Sequence, residues 1–181
     1  MTPSYYDRPT TDSWCTSGQP VSYWWVNGRT LEGISAIDEK MRRIELVLAA
    51  WDWNEFDLED ELGAMEEILE RALAGRLTMI DEVKRLHRGF PFRIFEIRLS
   101  AVAKNRTKVG ERTVAVHEEQ VHIRVYHAEE PTLPRCALGL EVRRKLVVAD
   151  DPHATRMLQN EDIDAALRVL HAGRENRWGI P

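Results

Sequence analysis

Two segments of this chain combine residue types that act on phosphodiesters with the alternation of a β-strand. Residues 92–101 (FRIFEIRLSA) and residues 121–127 (VHIRVYH) alternate apolar and polar side chains. A period of two predicts strands in which successive side chains point to opposite faces of a sheet. Five polar side chains are therefore expected to share one face: Glu96, Arg98, His122, Arg124 and Tyr126.

That face has the chemistry that metal-free RNA cleavage requires. Arginine side chains neutralise a phosphate and the charge that develops on it during reaction. A histidine, tyrosine or glutamate can move the proton of a ribose 2′-hydroxyl toward the leaving oxygen. An ordinary alternative stays open, because antiparallel sheets often expose a polar face on which Glu–Arg pairs form across strands.

A third alternating segment, residues 137–148, contains a basic triplet at the expected end of its strand. Its Leu138, Leu140 and Val142 are expected to face the core together. The triplet fits either phosphate contacts or a charged strand edge that discourages strand pairing. It consists of Arg143, Arg144 and Lys145.

The spacing of potential metal ligands does not indicate a metal site. His117, His122 and His127 recur every five residues, and an odd step along a strand puts His122 on the face opposite the other two. Cys15 and Cys136 lie far apart in the sequence, and we interpret both as free thiols of a reducing compartment. We assign neither a metal nor a cofactor.

Helical periodicity around these segments predicts what supports the sheet. Apolar residues recur at steps of three and four over residues 36–51 and again over residues 58–73, which predicts two helices in an antiparallel hairpin. A closing helix is predicted over residues 152–172. Residues 103–120 are interpreted as a long loop with a short strand at Thr113–Val116. The fold class is therefore α+β, with a small antiparallel sheet covered by helices on one face.

The chain divides into an aromatic N-terminal arm, residues 1–30, and a single α+β domain, residues 31–181. Because disordered arms are usually poor in aromatic residues, we expect this arm to pack on the body of its own chain. The parts of the domain are the helical hairpin at 36–75, the sheet at 92–148 and the C-terminal helix at 152–172.

Charge is distributed unevenly along the sequence. Residues 1–75 carry 6 Lys/Arg against 15 Asp/Glu, whereas residues 76–145 carry 15 against 9. This basic surplus makes an RNA partner plausible without requiring one. No apolar run approaches the ~20 residues of a membrane helix, and the N-terminus lacks the features of a secretion signal. We expect a cytoplasmic protein without a membrane partner.

Four short patches resemble the RelE/HigB-type toxins. In that family a helix pair leads to a strand of the type K-x-L followed by hydrophobic-E-L-R, then to a strand with Arg followed closely by Tyr. A third strand ends in a basic turn, and a closing helix carries an I-x-x-A pattern. The similar residues here are Lys84, Leu86, Phe95, Glu96, Ile97, Arg98, Arg124, Tyr126, the run GLEVRRK at 139–145, and Ile163 with Ala166.

The resemblance implies a toxin of a toxin–antitoxin pair that cuts messenger RNA, commonly on the ribosome, without a metal. It also implies an antitoxin or other protein partner. Transferred position by position, it nominates as catalytic Arg98, Arg124, Tyr126 and His127. It nominates as RNA-binding Lys84, Arg143, Arg144 and Lys145.

Two other interpretations stay open at this point. The chain is longer and more acidic than that family, which also fits a non-enzymatic interaction or regulatory protein with a degenerate toxin-like fold. In that case the acidic helices or the aromatic arm would dock a partner. A weaker alternative is a small-molecule enzyme whose site lies between the arm and the sheet.

Overall fold

The computed structural model of the protein describes residues 12–26, 36–86, 93–109 and 112–180. Short 3-10 turns precede the first strand and follow the last helix. The helices and strands, in chain order, are β1 (Ser22–Trp25), α1 (Ala36–Leu48), α2 (Glu55–Leu73), β2 (Val83–Leu86), β3 (Arg93–Val109), β4 (Arg112–Glu129), β5 (Cys136–Arg144) and α3 (Pro152–Gly173).

Within the described residues, five strands form one sheet in the order β1-β5-β4-β3-β2. β2, β3, β4 and β5 pair antiparallel with their neighbours, whereas β1 pairs parallel with β5. The predicted α+β class is confirmed, but the sheet is mixed and not wholly antiparallel. β1 and β2 belong to segments for which the sequence pattern indicated no strand, and four-residue strands are too short to show a clear period.

The prediction of a loop at residues 103–120 is wrong over the described part of this range, because β3 extends to Val109, β4 begins at Arg112 and the two strands pair along this stretch. Their pairing extends from Arg93 opposite Glu129 to Val109 opposite Arg112, with one irregularity at Thr107/Lys108. The sequence pattern failed here because alternation of apolar residues reports burial of one strand face. Strand pairing itself depends on backbone hydrogen bonds, which polar residues form equally well.

The helix boundaries follow local signals close to those expected. Asn54 caps α2 by accepting a hydrogen bond from the Phe56 amide at 3.1 Å, as N-cap residues do. Beyond the end of α2, Gly75 adopts a φ of +69°, which favours glycine at a helix stop. α1 follows the strand β1, where the sequence interpretation had an irregular arm. α3 is one continuous helix from Pro152 to Gly173, close to the predicted range.

Helices cover both faces of the sheet, so the expectation of helices on one face is wrong. Adjacent residues of β3 show this, because Phe95 belongs to one core cluster and Ile94 to the other. The helix-pair face holds Phe95, Ile97 and Val125 with residues of α1, α2 and β1. The α3 face holds Ile94 and Tyr126 with residues of α3.

A β-bulge in β5 decides which of its residues reach each face. Tyr126 pairs with Glu141 and His127 pairs with Gly139, which leaves Leu140 as the extra residue. Leu138 and Leu140 consequently belong to the core of the α3 face, whereas Val142 belongs to the core of the helix-pair face. The predicted common face for these residues is wrong, because one inserted residue reverses the alternation.

The described part of the N-terminal arm lies in the core. Trp14, Tyr23 and Trp25 are buried and belong to the cluster on the helix-pair face, while Trp24 is partly buried. The rings of Tyr23 and Trp25 pack directly on Gly139, where an added Cβ would meet their atoms at 2.6–2.8 Å. Among the described residues, no helix combines the length and the apolar character needed to cross a membrane.

Candidate functional site

Three arginines from three neighbouring strands lie directly opposite one another on the α3 face. Arg98 of β3 pairs with Arg124 of β4, and Arg124 pairs with Arg143 of β5. Like charges directly opposite across strands are destabilising, so this arginine row needs compensation from carboxylates or from a bound anion.

The rows on either side add further charged and polar groups. One contains Lys84, Glu96, Tyr126 and Glu141, in that cross-strand order. On the other side His122 is opposite Ser100, and its carbonyl accepts a hydrogen bond from the Lys145 amide at 2.7 Å. We call the resulting surface the arginine face, and its members are Lys84, Glu96, Arg98, His122, Arg124, Tyr126, Glu141, Arg143 and Lys145.

One carboxylate serves two of the three arginines. Glu96 Oε1 lies 3.0 Å from Arg98 Nε and 3.7 Å from Arg124 Nε. Glu96 and Arg124 are 3% and 6% exposed, so this shared ion pair is largely desolvated and its attraction is little screened. Arg98 also donates to the Ile80 carbonyl at 2.9 Å. Ile80 has a φ of +75°, a strained value for a β-branched residue.

The third arginine is the accessible one. The Arg143 side chain is 45% exposed, and its Nε lies 3.4 Å from Glu141 Oε2. Asp162 of α3 lies near enough that Arg143 counteracts the effect of burial, which raises the pKa of that carboxyl. Arg143 therefore stands at the border between the arginine face and α3, where a ligand from solvent can reach it.

Electrostatics on the arginine face favour a neutral histidine and a protonated tyrosine. Burial, followed by the nearby Arg124 and Lys145, lowers the pKa of His122, so its imidazole is available to accept a proton near neutral pH. Burial, followed by Glu96, raises the pKa of Tyr126. Burial is the main cause that lowers the pKa of Arg124 and of Lys145, and neighbouring arginines add a smaller effect in the same direction.

The structure brings together most of the residues that the sequence nominated. Lys84, Arg98, Arg124, Tyr126, Arg143 and Lys145 all lie on the arginine face. Tyr126 is only 1% exposed, so its hydroxyl is not displayed to solvent. His122 and Glu96 were absent from the nominated residues, although the alternation had placed both on this face.

Two nominated residues lie on the opposite face of the sheet. Arg144 forms an ion pair with Glu119 at 2.6 Å, and its guanidinium carbon lies 4.5 Å from the centroid of the Trp51 ring. His127 is fully buried there, with its ring stacked on Phe95. Successive strand residues point to opposite faces, which separates Arg144 from Arg143 and His127 from Tyr126.

The region around His127 is a second candidate site that sequence spacing did not indicate. Cys15 Sγ lies 3.9 Å from His127 Nε2, and Glu129 Oε1 lies 3.6 Å from the same nitrogen. Ligand atoms of all three residues lie within 4.8 Å of one another, and all three residues are buried. No local motif could reveal this set, because 112 residues separate Cys15 from His127. We call it the Cys–His–Glu cluster.

Two further buried polar side chains lie beside this cluster. The Lys40 Nζ sits 3.3 Å from the centroid of the Tyr23 ring, and the Tyr23 and His127 rings are 6.1 Å apart. Burial lowers the pKa of Lys40 to about 7. Burial alone would lower the pKa of His127, but Cys15 and Glu129 outweigh it and raise that pKa to about 9. Thiol, imidazole and carboxylate donors together suit a borderline-soft divalent metal.

Comparison with known proteins adds nothing to this geometry. No family model, curated protein or solved structure matches the chain significantly. Any function assigned to the chain must therefore be argued from its own residues, chiefly those of the arginine face and of the Cys–His–Glu cluster.

Proposed function

We propose that the protein binds RNA on the arginine face, in the manner of a RelE/HigB-like toxin. The observation that carries this proposal is the alignment of Arg98, Arg124 and Arg143 across three adjacent strands. The side chains of Arg98 and Arg143 are 29% and 45% exposed and can meet phosphates of a bound strand. Arg124 is 6% exposed and lies between them, where it adds positive charge.

The charge on this face is not fully compensated by its own carboxylates. It carries five cations, namely Lys84, Arg98, Arg124, Arg143 and Lys145, against Glu96 and Glu141 of the sheet and Asp162 of α3, which lies near Arg143 and Tyr126. Arg98 and Arg124 share one of those carboxylates. A phosphate would supply the missing negative charge and accept charge-assisted hydrogen bonds from the arginines.

Cleavage of the bound RNA is the finer part of the proposal. His122 is partly accessible and has a lowered pKa, so it is the best group on this face to accept the proton of a ribose 2′-hydroxyl. The neighbouring arginines would stabilise the charge that develops on the phosphorus oxygens. Tyr126 is buried and would not contact the RNA; its role would be to hold its neighbour Glu96 and the arginines in position.

The element order supports the toxin interpretation. α1 and α2 precede β3, β4 and β5, and α3 closes the chain, as in the family that the sequence resembles. The same interpretation proposes an antitoxin partner, which in such pairs blocks the toxin. Failure of RNA binding would instead favour the interaction or regulatory protein that the acidic helices suggest.

RNA binding can be tested with two neighbouring arginines as a matched pair. Arg143 and Arg144 are 45% and 40% exposed but lie on opposite faces of the sheet. We expect Arg143→Ala to weaken binding of a labelled mixed-sequence single-stranded RNA by about tenfold, or about 1.4 kcal/mol. It should also reduce the slope of log K against log salt by about 0.7, the loss of one phosphate contact.

Arg144→Ala is the control and should leave both quantities unchanged. Fluorescence anisotropy over about 50–200 mM salt measures affinity and slope together. Equal losses in the two variants would contradict the assignment to the arginine face, and no binding by the wild type would remove the RNA proposal.

Cleavage is tested separately by induced expression in a bacterial host. We expect wild type to arrest growth and fragment transcripts, and His122→Asn to bind RNA but leave transcripts intact. Intact transcripts with the wild type, combined with normal RNA binding in vitro, would limit the function to binding.

A further inference from the structure

We propose that Cys15, His127 and Glu129 bind one Zn²⁺ ion or a similar borderline-soft divalent cation, and that this ion fastens the N-terminal arm to the sheet. The inference is independent of RNA binding, because the Cys–His–Glu cluster lies on the sheet face opposite the arginine face.

The spacing of the three side chains fits ligands around a common ion. Zinc bonds of about 2.3 Å to sulfur and 2.0–2.2 Å to nitrogen or oxygen put two ligands of a tetrahedral ion about 3.3–3.6 Å apart. The separations from His127 Nε2 are 3.6 Å to Glu129 Oε1 and 3.9 Å to Cys15 Sγ. An ion would need to draw each of these two pairs together by only a few tenths of an ångström, and the three ligand atoms all lie within 4.8 Å of one another.

Without an ion, His127 Nε2 is poorly satisfied by its two neighbours Cys15 and Glu129. An imidazole nitrogen carries at most one proton, so Nε2 of His127 can donate to Cys15 or to Glu129 but not well to both. A separation of 3.6 Å is also too long for a good hydrogen bond between nitrogen and oxygen. A cation at the centre would engage all three groups at once.

The surroundings hold further polar groups without hydrogen-bond partners. Among the described residues, these include Lys40 Nζ, the Tyr23 hydroxyl and His127 Nδ1. An ion bound by Nε2 would fix the His127 tautomer with its proton on Nδ1. It would not serve Lys40, whose ammonium has only donors. Zn²⁺ with a thiolate and a carboxylate carries no net charge, so it would add no repulsion against Lys40.

Hydrogen bonds already hold Glu129 in place for this role. The Ser13 hydroxyl donates to Glu129 Oε1 at 2.5 Å, and the Trp14 amide donates to the same atom at 2.7 Å. Such bonds to a ligand fix its orientation and strengthen metal binding. Three protein ligands leave one position of a tetrahedral shell for a water molecule.

The ligands come from two parts of the chain, which gives the ion a structural consequence. Cys15 belongs to the arm, whereas His127 and Glu129 belong to β4. Cys15 and His127 are fully buried and Glu129 is 1% exposed, so the ion must enter when the arm is undocked. Metal binding is then coupled to docking of the arm and stabilises the folded chain.

The test uses the full chain, refolded from denaturant with Zn²⁺ and freed of loosely bound ion by a weak chelator. We expect one equivalent of zinc by elemental analysis in wild type. Cys136→Ser is the matched control, because Cys136 is the other buried free cysteine, and it should retain the equivalent. Cys15→Ser should lower zinc affinity by more than about 100-fold, beyond the effect of losing a supporting hydrogen bond.

Cobalt provides a direct view of the ligands in the folded protein. Co²⁺-loaded wild type and Cys136→Ser should show thiolate-to-cobalt charge-transfer absorption, and Cys15→Ser should not. Ser13→Ala keeps all three ligands and should lower affinity by about 10–100-fold, which keeps the test informative if Cys15→Ser does not fold. Zinc retained equally by Cys15→Ser and wild type, or no tightly bound zinc in wild type, would overturn the proposal.

Discussion

Replacing Lys40 by methionine should stabilise the protein, by an amount that depends on pH. The Lys40 ammonium is fully buried, and burial lowers its pKa from 10.5 to about 7. The difference of about 3.5 corresponds to about 5 kcal/mol at 1.36 kcal/mol per pKa unit. The cation lies over the Tyr23 ring at 3.3 Å, an attraction that offsets about 2 kcal/mol when desolvated. The net cost of the charged side chain is therefore about 3 kcal/mol.

The sign of the pH dependence follows from linkage. The pKa of Lys40 is lower in the folded chain than in the unfolded chain, so the unfolded chain binds the proton more tightly. Because the attraction to the Tyr23 ring offsets part of the effect of burial, the net cost of about 3 kcal/mol corresponds to about two pH units, and wild-type stability should rise mainly over the two pH units below about 10.5. Lys40→Met lacks this titration. It should be about 3 kcal/mol more stable than wild type near pH 6, with the gap shrinking to below about 1 kcal/mol near pH 10.

Urea unfolding of metal-free protein in the presence of a chelator measures both quantities. Lys84→Met is the control, because Lys84 is exposed and its replacement should change the free energy of unfolding by less than about 0.5 kcal/mol. The reasoning would be refuted by a Lys40→Met variant that is less stable than wild type near pH 6, or by a gap that does not change with pH.

Four further substitutions, in two matched pairs, test the charge on the arginine face and the packing of the fold. Glu96→Gln removes the carboxylate shared by two arginines. It should lower the free energy of unfolding by about 2–4 kcal/mol, less than the loss of one partner from a fully buried ion pair, because Arg98 is partly solvated. It should also tighten RNA binding, because it removes a negative charge from the arginine face. Glu141→Gln affects a partly exposed ion pair and should lower the free energy of unfolding in urea by less than about 1 kcal/mol. Equal losses of stability in Glu96→Gln and Glu141→Gln would contradict the conclusion that burial strengthens the ion pairs of Glu96. Gly139→Ala brings a methyl group against the aromatic rings of β1 and should lower stability by about 1–3 kcal/mol. Gly63 occupies an exposed helical position with open space around it. Gly63→Ala should therefore raise the free energy of unfolding by about 0.5–1 kcal/mol, which is measured as a higher midpoint of thermal unfolding. The opposite signs of the two glycine variants are the check.

Local patterns in the sequence were sufficient for the helices and for the polar face of the sheet. Helical periodicity and the glycine at position 75 located α2 and its end, because apolar spacing and backbone freedom are properties of neighbouring residues. Strand alternation likewise put Arg98, Arg124 and Tyr126 on one side, because side chains of a strand point alternately to its two faces.

The same patterns could not show how strands meet or what covers each face. The register between β4 and β5 aligns Arg143 with Arg124, and a bulge moves Leu138 and Leu140 to the face opposite Val142. A continuous apolar run hides such a bulge, since every residue in it suits either face. The covering of the polar face by α3, which buries Tyr126, also depends on the path of the chain after β5.

By itself, the sequence determined an α+β chain with a basic, strand-rich segment and an arginine-bearing face, because composition, period and capping are local. Only the tertiary structure decided that Arg144 and His127 lie away from that face, and that Cys15 meets His127 and Glu129. These contacts join residues far apart along the chain. Their formation depends on strand register, on the docking of β1 beside β5 and on the burial of the arm, none of which leaves a spacing that can be read from the sequence.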